Sequence, residues 1–411
     1  MTGAGSRPLR GSPGVNLVVA LLGPIANRHA PTFFRIVRRR WPVLVTPWFS
    51  MVASDADVRQ VLGCRDDFSV ARYTSTMMEV VGPFVLGLDD PDTYGPADDL
   101  LQTCLRPEDA ERVGRRAGDL AQEAISWALA GREIDVVSEF VDPVLAKAIG
   151  EYVGIPGPDW ETLAEWSRVV FTEVFVSGTR SVRPPALKVV REFRAYIESV
   201  VGSRGAALDR GECPPDDVLA RLLASGADHR QVCGTLLALV VASFPNLSKM
   251  AAIALHELLR RPEQLRAAEA AARAGDAEMV AAYLFEAARL RPMAPGIFRT
   301  STGACPVGLF TNRPTTVPAG VPILAATASA MMDEHGVAAP HEFRVNRPAT
   351  DYLHFGYGLH ECAGGPITRA VLPAVAGALL RHGPLRRAPG RAGRLKWRYP
   401  YPCGLRVRFS R

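Results

Sequence analysis

From residue 107 onward, apolar side chains recur mainly at helical intervals, and prolines and glycines cut the pattern into successive segments. The spacing predicts helices over Glu108–Leu129, Val141–Val153, Asp159–Val176, Pro185–Val201 and Pro215–Ala224. Gly131, Pro156-Gly157-Pro158 and Pro184-Pro185 punctuate them, and no unit of about 20–50 residues recurs. The next helix, from about Arg230 to Arg261, is the longest. Its centre, Leu236 to Phe244, is apolar on nearly every side, which places it in the middle of the protein. Beyond Pro262-Glu263 follow a helix to Arg273 and another from Asp276 to Leu290, stopped by Arg291-Pro292.

Elsewhere the period changes. Residues 41–54 alternate apolar and small polar side chains around Pro42 and Pro47, which predicts a short hairpin or edge strands. Ser54-Asp55-Ala56-Asp57 then caps a helix with Val58, Val61 and Leu62 on one face. Tyr73 to Asp92 is apolar without a clean period and reads as a pocket lining or a buried loop. Arg299 to Ile323, rich in Gly, Pro, Thr and Val with a turn at Val317-Pro318-Ala319-Gly320, predicts short strands. A coil over Asp333–Leu353, a helix over about Gly365–Leu380 and a last hairpin within Leu395–Phe409 complete the pattern. The expectation is a mainly α fold with small β-sheets, one domain over 41–411 after a flexible N-terminal segment 1–40.

With 48% apolar and 22% charged residues, the chain can bury a sizeable core. A net charge of +6 permits an acidic protein partner, but no basic run interleaved with aromatics argues for nucleic acid. Val15 to Leu22 is apolar yet stopped by Gly23-Pro24, far short of the roughly 20 residues of a membrane span. It also lacks a basic start and a cleavage site, so neither a membrane span nor a signal peptide is expected. Seven scattered cysteines form no close pairs and suit a reducing cytoplasm.

The chemistry concentrates in Phe355-Gly356-Tyr357-Gly358-Leu359-His360-Glu361-Cys362-Ala363-Gly364. Two glycines permit a tight turn, and a single cysteine stands just before a helix start. The stretch resembles the iron-ligand loop of the cytochrome P-450 family, F-G-x-G-x-H-x-C-x-G, at every fixed position from Phe355 to Gly364. The order of elements over about residues 40–411 is similar to that family too. The resemblance implies a cytochrome P-450 fold with haem b held between the long central helix and the helix after the cysteine. Cys362 would be the axial thiolate, whose electron donation favours O–O cleavage. Glu286-Ala287-Ala288-Arg289 matches the family's E-x-x-R, an ion pair that Arg347 would join to hold the haem-side core. Arg299 and His360 stand where the family places partners of the haem propionates.

The central helix departs from the family. Its usual Ala-Gly-x-(Asp/Glu)-Thr-Thr falls on Ala242-Ser243-Phe244-Pro245-Asn246-Leu247. An acid and an alcohol there normally relay protons for oxygen activation, and neither Pro245 nor Asn246 can release one. Pro245 should kink the helix. Asn246 would donate to oxygen or substrate, or merely satisfy a freed carbonyl, and Ser243 or Ser248 would support a water chain. After Asp90-Pro91, the family's His-x-x-x-Arg becomes Tyr94 and Asp98, and Tyr352 replaces a histidine before Phe355, beside His354. Either tyrosine can donate to a propionate.

Three functions follow. One is a haem-thiolate oxidoreductase acting on an apolar small molecule in specialised metabolism, with peroxide, hydroperoxide or substrate-assisted proton handling. The second is a conventional monooxygenase fed by a ferredoxin and its reductase, docking at Arg112, Arg115 and Arg116 or at Arg386 and Arg387. The third is a non-catalytic haem-binding or recruitment protein.

Overall fold

The computed structural model describes residues 32–177, 181–309 and 314–409. Residues 32–40 are helical (α1), so helix precedes the expected domain start at residue 41. Val15–Leu22 and the remainder of the N-terminal segment lie outside the described residues.

The body is mostly helical: α2 (Asp55–Gly63), α3 (Ala71–Val80), α4 (Pro91–Cys104), α5 (Ala110–Gly131), α6 (Asp142–Val153), α7 (Trp160–Phe171), α8 (Pro184–Asp209), α9 (Val218–Ala224), α10 (His229–Leu258), α11 (Pro262–Ala274), α12 (Ala277–Leu290), α13 (Thr327–Ala330) and α14 (Gly365–Arg381). The start signal read at Ser54 acts as a cap, accepting from the Asp57 N–H at 3.3 Å; Asp228 and Gln231, which the pattern did not single out, cap α10 reciprocally at 2.8 and 3.0 Å. Two expectations change. The aperiodic 73–92 stretch contains most of α3 and a short turn of helix at Val85–Gly87, and a helix not read from the pattern, α4, follows it. Pro91 at the first turn of α4 and Asp90 accepting from Thr93 N–H supply the start.

The main sheet has strand order β1-β2-β8-β5-β3, using β1 (Val43–Val45), β2 (Ser50–Val52), β3 (Phe68–Ser69), β5 (Ile297–Ser301) and β8 (Pro322–Ala325). β6 (Cys305–Val307) pairs with β7 (Thr315–Val317), and β10 (Lys396–Arg398) with β11 (Tyr401–Gly404). The C-terminal stretch is therefore only partly a hairpin. Its final strand, β12 (Arg406–Phe409), instead joins β4 (Glu133–Asp135) to β9 (Leu385–Arg387), a pairing between distant residues that no local pattern announces.

α10 runs through the centre, against α6, α7, α12 and α14. It is long and apolar enough to cross a membrane, but 78% of its apolar window is buried inside the protein, so it is the core helix. It continues without interruption through Pro245 rather than breaking there.

Candidate active site

The cysteine loop is shaped by two glycines in the left-handed region, Gly356 at φ +80° and Gly358 at φ +76°. A Cβ on Gly358 would stand 2.8 Å from the Leu62 carbonyl oxygen, so only glycine lets the loop rest on the end of α2. The Cys362 N–H donates to Phe355 O at 2.8 Å, and the Gly365 N–H donates to Cys362 O at 3.0 Å as α14 begins. The Phe355 ring is covered by the Arg369 guanidinium at 4.4 Å and meets Phe285 edge-on at 6.0 Å.

This loop leaves one sulfur accessible: Cys362 keeps accessible surface although protein fills most of the space around it. Burial pushes the thiol up. The Gly364 N–H is the strongest opposing influence, with Arg369 and the Gly365 N–H also favouring the sulfur anion.

α10, which packs on α14, contributes a matching strip. Ala242, Ser243, Asn246 and Lys249 keep accessible surface, whereas Val241, Phe244, Pro245, Leu247 and Ser248 are buried. Helical geometry separates these two sets onto different flanks. The strip corrects two expectations. Phe244 turns away, beneath the Arg168 guanidinium at 5.1 Å, and Pro245 is enclosed beside it. Ser248 is likewise committed, donating to Asp142 and accepting from Arg168 at 3.0 Å. On the accessible strip, the Ser243 hydroxyl donates to Leu239 O at 2.6 Å and the Asn246 amide donates to Ala242 O at 2.8 Å. The Ser243 proton is thereby committed, whereas the Asn246 amide keeps a second N–H.

The expected propionate partners divide. Arg299 is buried, and its one hydrogen bond among the described residues goes to the neighbouring Phe298 O at 3.0 Å. Burial lowers its pKa, opposed only in part by Tyr73 and Asp89 nearby, and no ion pair engages it among the described residues. His360 is enclosed with Nδ1 unpartnered and Nε2 3.4 Å from Asp89 Oδ1. Tyr94 packs edge-on against His360, but its hydroxyl donates to Leu359 O at 2.9 Å and so steadies the loop. Tyr352 departs from the expectation altogether: its hydroxyl donates to Glu286 Oε2 at 3.2 Å. His354 lies against the Phe285 carbonyl at 3.0 Å, and burial pulls it down to about 4.

Glu286 and Arg289 form a fully buried bidentate pair, both contacts at 2.8 Å. Arg347 reaches Glu286 Oε1 at 3.0 Å, as the motif implied, and the Arg344 N–H donates to the same oxygen at 2.9 Å. Arg289 also donates to Met331 O and Glu342 O at 2.8 and 3.2 Å. Burial alone would raise the Glu286 carboxyl. The Arg289 fork, the Arg344 N–H and Arg347 together hold it below its ordinary value.

Three residues around this site escaped the pattern. Asp89 accepts from Val70 N–H at 2.8 Å and stands beside His360; its signal was only an extra acid before Asp90-Pro91. The Arg72 guanidinium lies over the Phe298 ring at 4.5 Å, just before the stretch that carried no period. Lys249 did carry a signal, a lone charge inside an apolar helix.

An accessible sulfur, a buried cation with no ion pair among the described residues and an imidazole nitrogen without a partner are what a haem between α10 and the loop requires. The residues fit the group.

No family model matches the chain. Among curated proteins, it is 25% identical over 358 residues to mycinamicin IV hydroxylase/epoxidase of Micromonospora griseorubida, covering 84% of this chain and 85% of that one. It is 28% identical over 347 residues to cytochrome P450-SU2 of Streptomyces griseolus, covering 81% and 80% respectively. A solved cytochrome P450 from Chondromyces apiculatus superposes with a TM-score of 0.78 at 23% identity, over 94% of this chain and 96% of that one.

Proposed function

Because the chain belongs to the cytochrome P-450 family, we propose that this oxidoreductase is a cytoplasmic haem-thiolate enzyme of specialised metabolism that oxidises or oxidatively rearranges a mainly apolar small molecule with non-standard proton handling. The observation that carries the proposal is the accessible sulfur of Cys362, joined by packed helices to the accessible strip of α10. The catalytic domain comprises residues 41–411 together with the helix over 32–40.

When bound, haem b supplies iron that activates dioxygen or a peroxide for oxidation of the substrate. Cys362 would give its thiolate to the iron, with the Gly364 and Gly365 N–H groups favouring the charge. Arg299 and His360 would neutralise the propionates, and Tyr94 would hold His360 in place by its ring contact.

The proton handling is argued from α10. Pro245 has no N–H, Ser243 gives its proton to Leu239 O, and Asn246 gives one amide N–H to Ala242 O while its second N–H, which is not acidic, remains to donate a hydrogen bond. No acid–alcohol pair stands ready to deliver protons, so a peroxide, a hydroperoxide or a group on the substrate must bring them. With a substrate identified by its spectral shift, hydrogen peroxide alone is expected to support turnover. A strict requirement for ferredoxin, reductase and dioxygen would overturn this reading. The proposed ferredoxin surface is already charge-matched in part: Arg112, Arg115 and Arg116 pair with Asp109, Glu111 and Glu151 at 2.8, 2.7 and 2.7 Å.

Asn246→Ala separates a positioning role from a local backbone one. Turnover is expected to fall roughly tenfold while haem content and thermal midpoint stay close to those of the parent, since one half-exposed hydrogen bond contributes only about 1 kcal/mol to stability. Unchanged turnover would leave Asn246 as a prop for Ala242 O.

A further inference from the structure

Lys249 is the only Lys, Arg, Asp or Glu between Arg230 and Glu257, in the most buried helix of the protein. It follows Ser243 and Asn246 at intervals of three residues, on the same accessible strip of α10. Protein surrounds its ammonium, yet the residue keeps accessible surface. No carboxylate and no hydrogen-bond acceptor among the described residues engages it.

Its neighbours do not explain a charge there. The Lys249 ammonium is 6.0 Å from the centroid of Tyr401, whose phenol burial keeps protonated. The other cation at that ring, Arg168, is already matched to Asp142 at 2.7 Å. With nothing to offset it, burial pulls Lys249 down to about 8. A lysine with only a packing role would be expected to carry its ammonium to an acid or into open solvent, and no acid among the described residues meets this one.

The surroundings describe what would complete it. Rings run outward from Tyr401 through Phe171 at 6.4 Å and Phe175 at 4.8 Å to Tyr73 at 5.4 Å. A ligand that suits these rings and the ammonium has an apolar body and one negative group at the α10 end. Building on the haem-cavity reading, we propose that the substrate is an apolar carboxylic acid whose carboxylate pairs with the Lys249 ammonium. The interaction is a desolvated, charge-assisted contact, the kind that sets orientation as well as affinity. A substrate carboxylate held there also places an ionisable group on the strip beside Asn246.

The test uses the holoprotein, Lys249→Gln and Lys249→Arg with three matched probe pairs: dodecanoate and dodecanol, phenylpropionate and phenylpropanol, naphthaleneacetate and naphthaleneethanol. Dissociation constants come from ligand-induced absorbance change and, independently of haem, from shifts in thermal midpoint. For at least one pair the parent should bind the acid about tenfold more tightly than the alcohol. That preference should shrink to about twofold or less in Lys249→Gln and largely survive in Lys249→Arg. No acid preferred by the parent, or a preference that persists in Lys249→Gln, overturns the assignment. Loss of haem by Lys249→Gln would also overturn it, by making Lys249 a propionate partner. Absence of the thiolate band from the parent would fail the haem reading instead, while the thermal arm still decides the acid preference.

Discussion

Cys362→Ala is expected to abolish turnover and to remove the absorption band near about 450 nm from the reduced, carbon-monoxide-treated protein. The sulfur keeps accessible surface, and no other cysteine stands in the cysteine loop or on the accessible strip of α10. Cys104, Cys233 and Cys305 are buried in packed regions, and Cys213 and Cys403 lie exposed elsewhere. The loop itself should survive the change. Its shape depends on Gly356, Gly358 and the Cys362 N–H bond to Phe355 O, none of which needs the sulfur. The variant should therefore fold, which its far-ultraviolet circular dichroism checks. A retained thiolate band in Cys362→Ala would move the ligand to another residue.

Arg289→Ala should be the most destabilising single change of those considered. It leaves the Glu286 carboxylate, fully buried, without the bidentate donor that faces it. Removing one partner of a buried pair typically costs about 3–5 kcal/mol, against a total stability of about 5–15 kcal/mol for a typical domain. Arg347 and Tyr352 remain on Glu286 but cannot replace the fork, and the Met331 and Glu342 carbonyls lose their donor as well. Arg289→Lys should rescue little, because one ammonium cannot meet both carboxylate oxygens and the carbonyls together. Expected outcomes are a large fall in thermal midpoint and little folded holoprotein. The lowered Glu286 pKa adds a pH dependence. Stability from this group is fully present above the ordinary carboxylate pKa and is lost as pH falls through the lower folded value. A normal midpoint in Arg289→Ala would mean that the network is redundant.

Much of this was legible in the chain because it is local. The helices follow from apolar spacing, and the start of α2 from a side chain that caps it three residues on. The cysteine loop declares itself because each glycine answers a backbone demand, as the near contact of Gly358 with Leu62 O makes plain. What escaped depends on partners far along the chain. Tyr352 stands close to the cysteine loop in sequence, yet packing delivers its hydroxyl to Glu286 on α12. β12 pairs with strands at residues 133–135 and 385–387, and neither hydropathy nor turn signals encode that choice. On α10, the motif alignment treated Phe244, Pro245 and Asn246 as one group. The helical turn separates them, leaving Asn246 on the accessible flank with Ser243 and bringing Lys249 beside it. The run of rings from Tyr401 to Tyr73 joins three separate segments, so no single stretch could reveal it.

The central claim is that Cys362 gives a thiolate to haem iron in the cavity beside α10. The most direct measurement is the carbon-monoxide difference spectrum of the reduced, purified protein after reconstitution with haem. The account predicts a band at about 450 nm, the mark of sulfur opposite carbon monoxide. A band at about 420 nm alone from folded, haem-loaded protein, or no haem uptake at all, would contradict it.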